Sequence, residues 1–347
     1  MGAMRFFAIV AALGSAATAG AQAPRPGTIE IYRDWAIGCD NRGRCEALSL
    51  MPEDATGTDP RATIGLTRDP GAPAEAEVWA SFDGKGRQDV AFAVDGRKVT
   101  TATATDGELA LQGPQATALA VAVARGGSLE LRVGGKLVGR PSLFGSGAAL
   151  RYMDAQQGRA GTVSALIATG PLSRAAVRNA PIVPIVRRAS TPAGTSPAAL
   201  WREELTSAGK LSGCTDEMKN AEAPGQYRLS PTETLILIPC GSGAYNFTSV
   251  PIIATGTAGR RAFRLATFDY QPGWSEDPKK PMLVNAGWDA GNARLDSYAK
   301  GRGVGDCGGS EAYVWDGTRF RLVEASAMSE CRGAPRWITT WTARVVE

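Results

Sequence analysis

The stretch SLELRVGGKLVGR, residues 128–140, carries the clearest structural signal in the chain. Two short runs of alternating apolar and polar residues flank the pair Gly134-Gly135. The favoured two-residue hairpin turns need positive φ angles, which glycine adopts without a steric penalty. The stretch therefore predicts a β-hairpin and an antiparallel sheet around it.

Short strand patterns extend this sheet toward the N-terminus. The chain contains 42 glycines and 21 prolines, which interrupt the apolar runs at short intervals and favour strands and turns over long helices. Helices are predicted at 115–125 and 146–157, and an apolar strand at 162–168. These elements predict a first β-rich module over residues 28–170.

Residues 171–198 differ in composition from the chain on either side. They contain five prolines and four arginines and lack acidic residues. One interpretation is a basic segment attracted to anionic lipid or wall polymer. The favoured interpretation is a solvated spacer, because four charges over this length are dilute.

A second β-rich module is predicted over residues 199–347. A helix at 198–207 opens it, and several strand patterns separated by glycine-containing turns follow. The predicted fold class is α+β and β-rich. It consists of two modules that are each dominated by antiparallel sheet and contain one or two short helices.

The six cysteines are even in number, which in an exported chain indicates disulfides. Proximity along the chain favours pairing between neighbours, which keeps each bridge within one module. The expected pairs are Cys39–Cys45, Cys214–Cys240 and Cys307–Cys331. A crossed arrangement in the second module, Cys214–Cys307 with Cys240–Cys331, is the main alternative.

The N-terminus has the features of a secretory signal peptide. Arg5 precedes a short apolar run at 6–12, and small residues lead to Ala21. The apolar run is shorter than the ~20 residues that a membrane span needs. Residues 1–21 are therefore predicted to be removed, and the mature protein is expected to be periplasmic or secreted, without a membrane span.

Composition excludes several kinds of activity. The chain has no histidine, which removes imidazole catalysis and histidine metal ligation. The net charge of +4 is too small to indicate nucleic-acid binding. Phosphate-binding and dinucleotide-binding motifs are missing as well. The sequence therefore assigns no catalytic residue, no metal ligand and no cofactor.

Aromatic residues of the second module are the best candidates for ligand contacts. Tyr245 and Asn246 follow Cys240 in a glycine-rich stretch, and Trp288 and Trp315 each precede an aspartate. Exposed aromatic rings beside amide side chains suit sugar or peptide ligands. The alternative is that the tryptophans fill the core of the sheet.

Several motifs resemble those of the DUF1176 family of exported, six-cysteine bacterial proteins. They lie at residues 142–150, 154–159, 239–246, 300–308 and 313–317. This family implies no particular activity. The first module also resembles the invasion-associated locus B family, through Asp34-Trp35 and the 142–150 motif.

The resemblance to the locus B family implies a role at the envelope or in host interaction. The leading hypothesis is thus an exported, non-enzymatic binding protein whose partner is an envelope or host component. Two alternatives are a cell-wall glycan hydrolase that works through carboxylates and a structural envelope protein.

The signal peptide gives a direct test. Cleavage after Ala21 should leave Gln22 as the first residue of the exported protein. The intact mass of material recovered from the periplasm or medium will check this, and a mass that retains residues 1–21 would contradict it.

Overall fold

A computed structural model describes residues 23–54, 61–192, 196–219, 222–273, 277 and 279–347 of the chain. The predicted signal peptide and its cleavage site lie outside these residues. Within the described residues, no helix is long and apolar enough to cross a membrane.

Residues 28–170, which we call the first module, contain one antiparallel sheet of ten strands. Its strands are β1 (Ile29–Tyr32), β2 (Trp35–Cys39), β3 (Cys45–Ser49), β4 (Ala62–Arg68), β5 (Ala76–Phe82), β6 (Arg87–Val94), β7 (Arg97–Thr105), β8 (Glu108–Leu111), β9 (Leu129–Val133) and β10 (Lys136–Gly139). They follow the order β1-β2-β3-β4-β5-β8-β7-β6-β9-β10 across the sheet.

The hairpin read from the sequence is β9–β10, in which Val133 pairs with Lys136. Gly134 and Gly135 form its turn with φ angles of 57° and 82°. At the far end of β10, a Cβ on Gly139 would lie 2.2 Å from the Cβ of Ala62 in β4. Because only glycine leaves room for this approach, β10 can lie against β4 and the sheet curves back on itself.

Two helices, α1 (Gly113–Arg125) and α2 (Ser146–Gln156), pack against this sheet. Their buried apolar residues join Trp35 in one core cluster. The indole Nε1–H of Trp35 donates to the carbonyl of Ser142 at 2.8 Å, which satisfies its polar atom inside the core.

Residues 162–168 do not form the predicted strand. The buried carboxylate of Asp154, at the end of α2, instead accepts hydrogen bonds from the backbone N–H groups of Leu166, Ile167 and Ala168. The apolar run is a loop wrapped around one carboxylate, because these side-chain bonds replace those of a strand ladder.

Part of the 171–198 segment is docked on the protein. Strand β11 (Ile185–Arg187) pairs in parallel with the C-terminal strand β22 (Arg344–Val346), and Val186 is buried. All four arginines of the segment contact protein groups; Arg188, for example, pairs with the Glu347 side chain at 2.5 Å. These contacts do not fit a fully solvated spacer.

Residues 199–347, which we call the second module, contain two antiparallel sheets of five strands each. The first sheet consists of β12 (Gly225–Arg228), β13 (Glu233–Ser242), β14 (Phe247–Thr255), β15 (Ala262–Leu265) and β16 (Leu283–Val284). The second consists of β17 (Gly287–Asp289), β18 (Arg294–Lys300), β19 (Gly308–Trp315), β20 (Phe320–Met328) and β21 (Ile338–Thr342). The fold is thus α+β and β-rich, as predicted.

Helix α3 (Arg202–Ser212) begins later than predicted, and Glu204 explains its position. The Glu204 carboxylate accepts the N–H of Trp201 at 3.0 Å, which caps the helix start. It also accepts the N–H of Gly259 and pairs with Arg261 at 2.8 Å. One carboxylate therefore both starts the helix and attaches it to the β14–β15 connection.

Disulfides join cysteines that are neighbours along the chain. The bridges are Cys39–Cys45, Cys214–Cys240 and Cys307–Cys331. Cys39 and Cys45 are paired residues of β2 and β3, so the first bridge crosses a hairpin. Each bridge lies within one of the two modules.

The modules contact each other through an apolar cluster that includes Trp79, Met328 and Ile338. The guanidinium of Arg336 lies over the Trp79 ring, 3.6 Å from its centroid. A guanidinium stacked on an indole loses little of its hydration and is attracted electrostatically to the face of the ring. This attraction adds to the apolar contact between the modules. The interface thus combines hydrophobic burial with cation–π contact.

Arg332, next to Cys331, is the polar centre of this interface. Its Nε donates to the carbonyl of Met51 at 2.7 Å and its Nη1 to that of Arg33 at 2.9 Å. Its Nη2 pairs with the carboxylate of Asp34. All of these acceptors belong to the first module, so one guanidinium holds two of its loops.

We expect Arg332→Ala to lower the free energy of unfolding by about 3 kcal/mol, because it leaves the buried Asp34 carboxylate without its cation. The exposed pair of Arg140 with Glu130 offers a matched control, and Arg140→Ala should cost less than about 1 kcal/mol. Urea unfolding of the oxidised proteins measures both, and similar losses would argue against the role given to Arg332.

Candidate functional site

Tyr245 lies in the turn between β13 and β14, and this turn packs against residues 301–307 of the other sheet. The Tyr245 hydroxyl donates to the carbonyl of Gly301 at 3.3 Å. A Cβ on Gly303 would lie 3.5 Å from the Tyr245 ring. Tyr245 therefore packs against the 301–307 loop and helps to hold it in place.

Asn246 holds the same two segments together through its amide. Its Nδ2 donates to the carbonyl of Lys300 at 2.8 Å, and its Oδ1 accepts the N–H of Lys300 at 3.1 Å. Asn285 donates to the same Oδ1 at 3.0 Å. Asn246 is buried, and its amide is occupied within the protein. Its role is to position the loop and not to contact a ligand.

Arg302 and Asp306 give the 301–307 loop its shape. The Nε of Arg302 donates to Asp306 Oδ1 at 2.7 Å, and the N–H of Gly333 donates to Oδ2 at 2.7 Å. The hydrogen bond from Arg302 holds the pKa of Asp306 below its usual value. The carboxylate therefore stays ionised and ties the loop to the residues that follow Cys331.

The loop forms one wall of a cavity between the modules, which we call the intermodule cleft. Its volume is about 640 Å³. Val304 projects at this wall and is 78% exposed. The residues that line the cleft are Met51, Arg61, Ala62 and Thr63 of the first module and Arg302, Gly303, Val304, Asp306 and Gly333 of the second.

The two tryptophan candidates lie elsewhere. Trp288 is half-buried and stacks on Tyr227, with ring centroids 6.2 Å apart. Trp315 is 1% exposed and packs on Phe320 in the core of the second module. Trp315 therefore does not lie beside Tyr245 at the 301–307 loop. It stands at the opposite end of β19, roughly 20 Å along the strand.

A second polar group lies inside the second module at Glu311 of β19. Burial raises the pKa of Glu311 to about 7, and hydrogen bonds from Ser297 and the Gly273 N–H only partly offset this effect. The described residues contain no group of three or more acidic or cysteine side chains that could hold a metal ion.

Sequence reasoning missed several residues that shape the cleft. Asn285 has a φ of 44°, a left-handed conformation that asparagine tolerates better than most residues, but no local pattern marks it. The spacing of Arg302 and Asp306 could have indicated their ion pair. Arg61 and Met51 are brought to the 301–307 loop by the tertiary fold alone. No local sequence pattern could therefore predict that they line the cleft.

The raised pKa of Glu311 predicts a pH-dependent contribution to stability. In the unfolded chain the Glu311 carboxyl loses its proton near its ordinary pKa of 4.5. In the folded protein it keeps the proton until the pH reaches its raised pKa of about 7. The folded state therefore loses stability as pH rises through this window. We expect wild type to lose about 3 kcal/mol relative to Glu311→Gln over this range.

Urea unfolding of both proteins at a series of pH values gives this difference directly. The difference should be constant below the lower pKa, change between the two values and level off above the higher one. A difference that stays constant throughout would mean that the Glu311 pKa is close to normal in the folded protein.

Comparison with known proteins identifies one family model and one relative that is described as uncharacterized. The chain is similar to the uncharacterized protein YpfG of Escherichia coli strain K12, with 28% identity over 341 residues, 90% of this chain and 92% of the relative. No solved structure gives a significant match. The resemblance to the invasion-associated locus B family is not shown by these comparisons. The model of the family described as "Protein of unknown function (DUF1176)" matches residues 30–344, and the chain therefore belongs to this family.

Proposed function

We propose that this protein is an exported, non-enzymatic binding protein and that its ligand occupies the intermodule cleft. The observation that carries the proposal is the cleft itself, a cavity of about 640 Å³ where both modules contribute side chains. Ligand sites occur preferentially at such junctions and have volumes in this range.

The walls of the cleft support this role because they are held rigidly. On one side, the disulfide Cys307–Cys331 and the Asp306 carboxylate fix the 301–307 loop. On the other, Arg332 fixes Met51. A wall that is ordered before binding lowers the entropy lost on binding.

The chemistry of the cleft suits a ligand with both apolar and anionic groups. Val304 is largely exposed and Met51 half-buried, which offers an apolar surface. Arg61 is exposed at the opposite wall and adds a positive charge. Exposed apolar side chains beside a cation typically mark a surface for recognition.

Glycan hydrolysis, the enzymatic alternative, would need a carboxylic acid that keeps its proton near neutral pH. Among the described residues that line the cleft, Asp306 is the carboxylate, and Arg302 lowers its pKa. An ionised, paired carboxylate is a poor general acid. This geometry favours binding over hydrolysis.

Export accounts for the three disulfides, because disulfides persist in oxidising compartments. The partner we propose is therefore an envelope or host component that meets the protein outside the cytoplasm.

Val304→Asp tests the cleft directly. It places an acid on the exposed apolar wall, and it should weaken co-sedimentation with envelope fragments about tenfold, a loss of roughly 1.4 kcal/mol. Val163 is similarly exposed, at 58%, on the first module and away from the cleft, so Val163→Asp is the matched control. Co-sedimentation over a range of envelope concentrations gives the apparent affinity.

Equal binding by wild type and both variants would exclude the cleft. Binding that does not saturate would favour a structural envelope role instead. Release of soluble sugar from the fragments would favour the hydrolase. The melting temperature of each variant shows whether a loss of binding reflects a loss of folding.

A further inference from the structure

A second cavity lies where the N-terminal stretch, β11 and the second sheet of the second module meet, and we call it the β11 cavity. Its volume is about 450 Å³. Residues 23–25 and 184–186 line it, and Asn41 reaches it from the first module. Leu322 of β20 and Trp341 of β21 contribute the wall on the side of the sheet. Small-molecule sites have volumes in this range and occur preferentially at junctions between domains.

Hydrogen bonds and one close backbone approach hold the walls of the β11 cavity. The N–H of Gly27 donates to the carbonyl of Thr340 at 2.9 Å, which attaches the N-terminal stretch to β21. A Cβ on Gly27 would lie 2.1 Å from the carbonyl oxygen of Cys39, so only glycine allows this approach. Asn41 exchanges two hydrogen bonds with the backbone of Thr342, at 2.9 and 2.7 Å. The cavity is therefore formed before a ligand binds, which lowers the entropy lost on binding.

Most of the lining of the β11 cavity is apolar. Pro24, Val186 and Leu322 are buried, whereas Ile185 is 55% exposed. The indole N–H of Trp341 already donates to the carbonyl of Leu322 at 3.3 Å, so Trp341 offers apolar surface and not a donor. The apolar body of a ligand would gain free energy by covering these groups, because the contact removes apolar surface from water.

The charged residues that line the β11 cavity are Arg25, Asp269 and Arg321. Asp269 is satisfied within the protein, since its carboxylate pairs with the Arg321 Nε at 2.6 Å and accepts the N–H of Leu322 at 2.8 Å. Arg321 also pairs with Asp316 at 3.4 Å, so two carboxylates share its charge. Arg25 is exposed and makes no ion pair with any residue that the structure describes. The cavity therefore offers a ligand one positive charge.

We propose that the β11 cavity is a second binding site, distinct from the intermodule cleft, and that it takes a small aliphatic carboxylate. The aliphatic body packs against Ile185 and Trp341, and the carboxylate pairs with Arg25. A neutral ligand of the same shape gains the apolar contact but not the ion pair, and a cation is repelled by Arg25. The site therefore prefers the anion to the neutral molecule and the neutral molecule to the cation.

Octanoate, 1-octanol and octylammonium test this order, because they share one alkyl chain and differ in charge. Each is titrated calorimetrically into the oxidised protein. Octanoate should bind at one molecule per chain. The affinity for 1-octanol should be about tenfold lower, and that for octylammonium lower still.

Two variants separate the charge from the apolar wall. Arg25→Gln should weaken octanoate binding about tenfold and leave 1-octanol binding unchanged, because it removes the cation alone. Ile185→Asn should weaken the binding of both ligands to a similar extent. Arg97→Gln, a change at an exposed arginine of β7, is the matched control and should alter neither affinity. Arg25 is exposed, so its variant should keep the melting temperature of wild type.

The absence of octanoate binding would overturn the proposal, and equal affinities for octanoate and 1-octanol would overturn the assignment of an anion. If Arg25→Gln instead weakened co-sedimentation with phosphatidylglycerol vesicles and octanoate did not bind, Arg25 would contact a lipid surface and not a ligand in the cavity.

Val304→Asp separates this site from the intermodule cleft. The variant leaves the β11 cavity intact, so it should bind octanoate as wild type does. Loss of octanoate binding in Val304→Asp would place octanoate in the cleft and refute the second site. Loss of binding to envelope fragments alone concerns the cleft.

Discussion

The contact between the Arg332 guanidinium and the Asp34 carboxylate is the constraint on which the two-module arrangement depends. Asp34 also accepts a hydrogen bond from the Ser142 hydroxyl at 2.7 Å, so it links the start of the sheet to the approach to α2. Arg332 is fixed in turn by the disulfide at Cys331. A covalent bridge in one module thereby positions a charge that organises the other. Because the ion pair is removed from water, it is stable only while both partners are present.

Local sequence signals were sufficient where the structure is decided locally. The pair Gly134-Gly135 predicted a tight turn, which the structure contains. Gly126 predicted the end of the helix, and α1 ends at Arg125 with Gly126 as its C-cap. The 162–168 stretch was misread because its apolar residues resemble a strand, whereas Asp154 binds its N–H groups. The 171–198 segment was expected to be solvated, yet it pairs with the C-terminal strand. In both cases the deciding partner lies outside the segment, and the composition of the segment holds no information about it.

The candidate site could be found only in part for the same reason. Tyr245 and Asn246 lie at the 301–307 loop, and the hydrogen-bonding groups of the Asn246 amide are all paired within the fold. Trp315 is a core residue, which its residue type could not reveal because tryptophan suits both a core and a binding surface. Arg61, which faces the loop from the other module, belongs to the site through tertiary structure alone.

The parallel pairing of β11 with β22 joins two segments that are far apart along the chain. Arg187 and its acceptor on Glu347 are separated by 160 positions, so β11 leaves the ribosome long before its partner exists. Contacts of such high sequence separation are costly in loop-closure entropy and form slowly. Both five-stranded sheets of the second module are complete at Thr342, and β22 adds a separate two-stranded sheet with β11. Residues 344–346 therefore hold the 171–198 segment against the second module, and a change at these residues acts first on that segment.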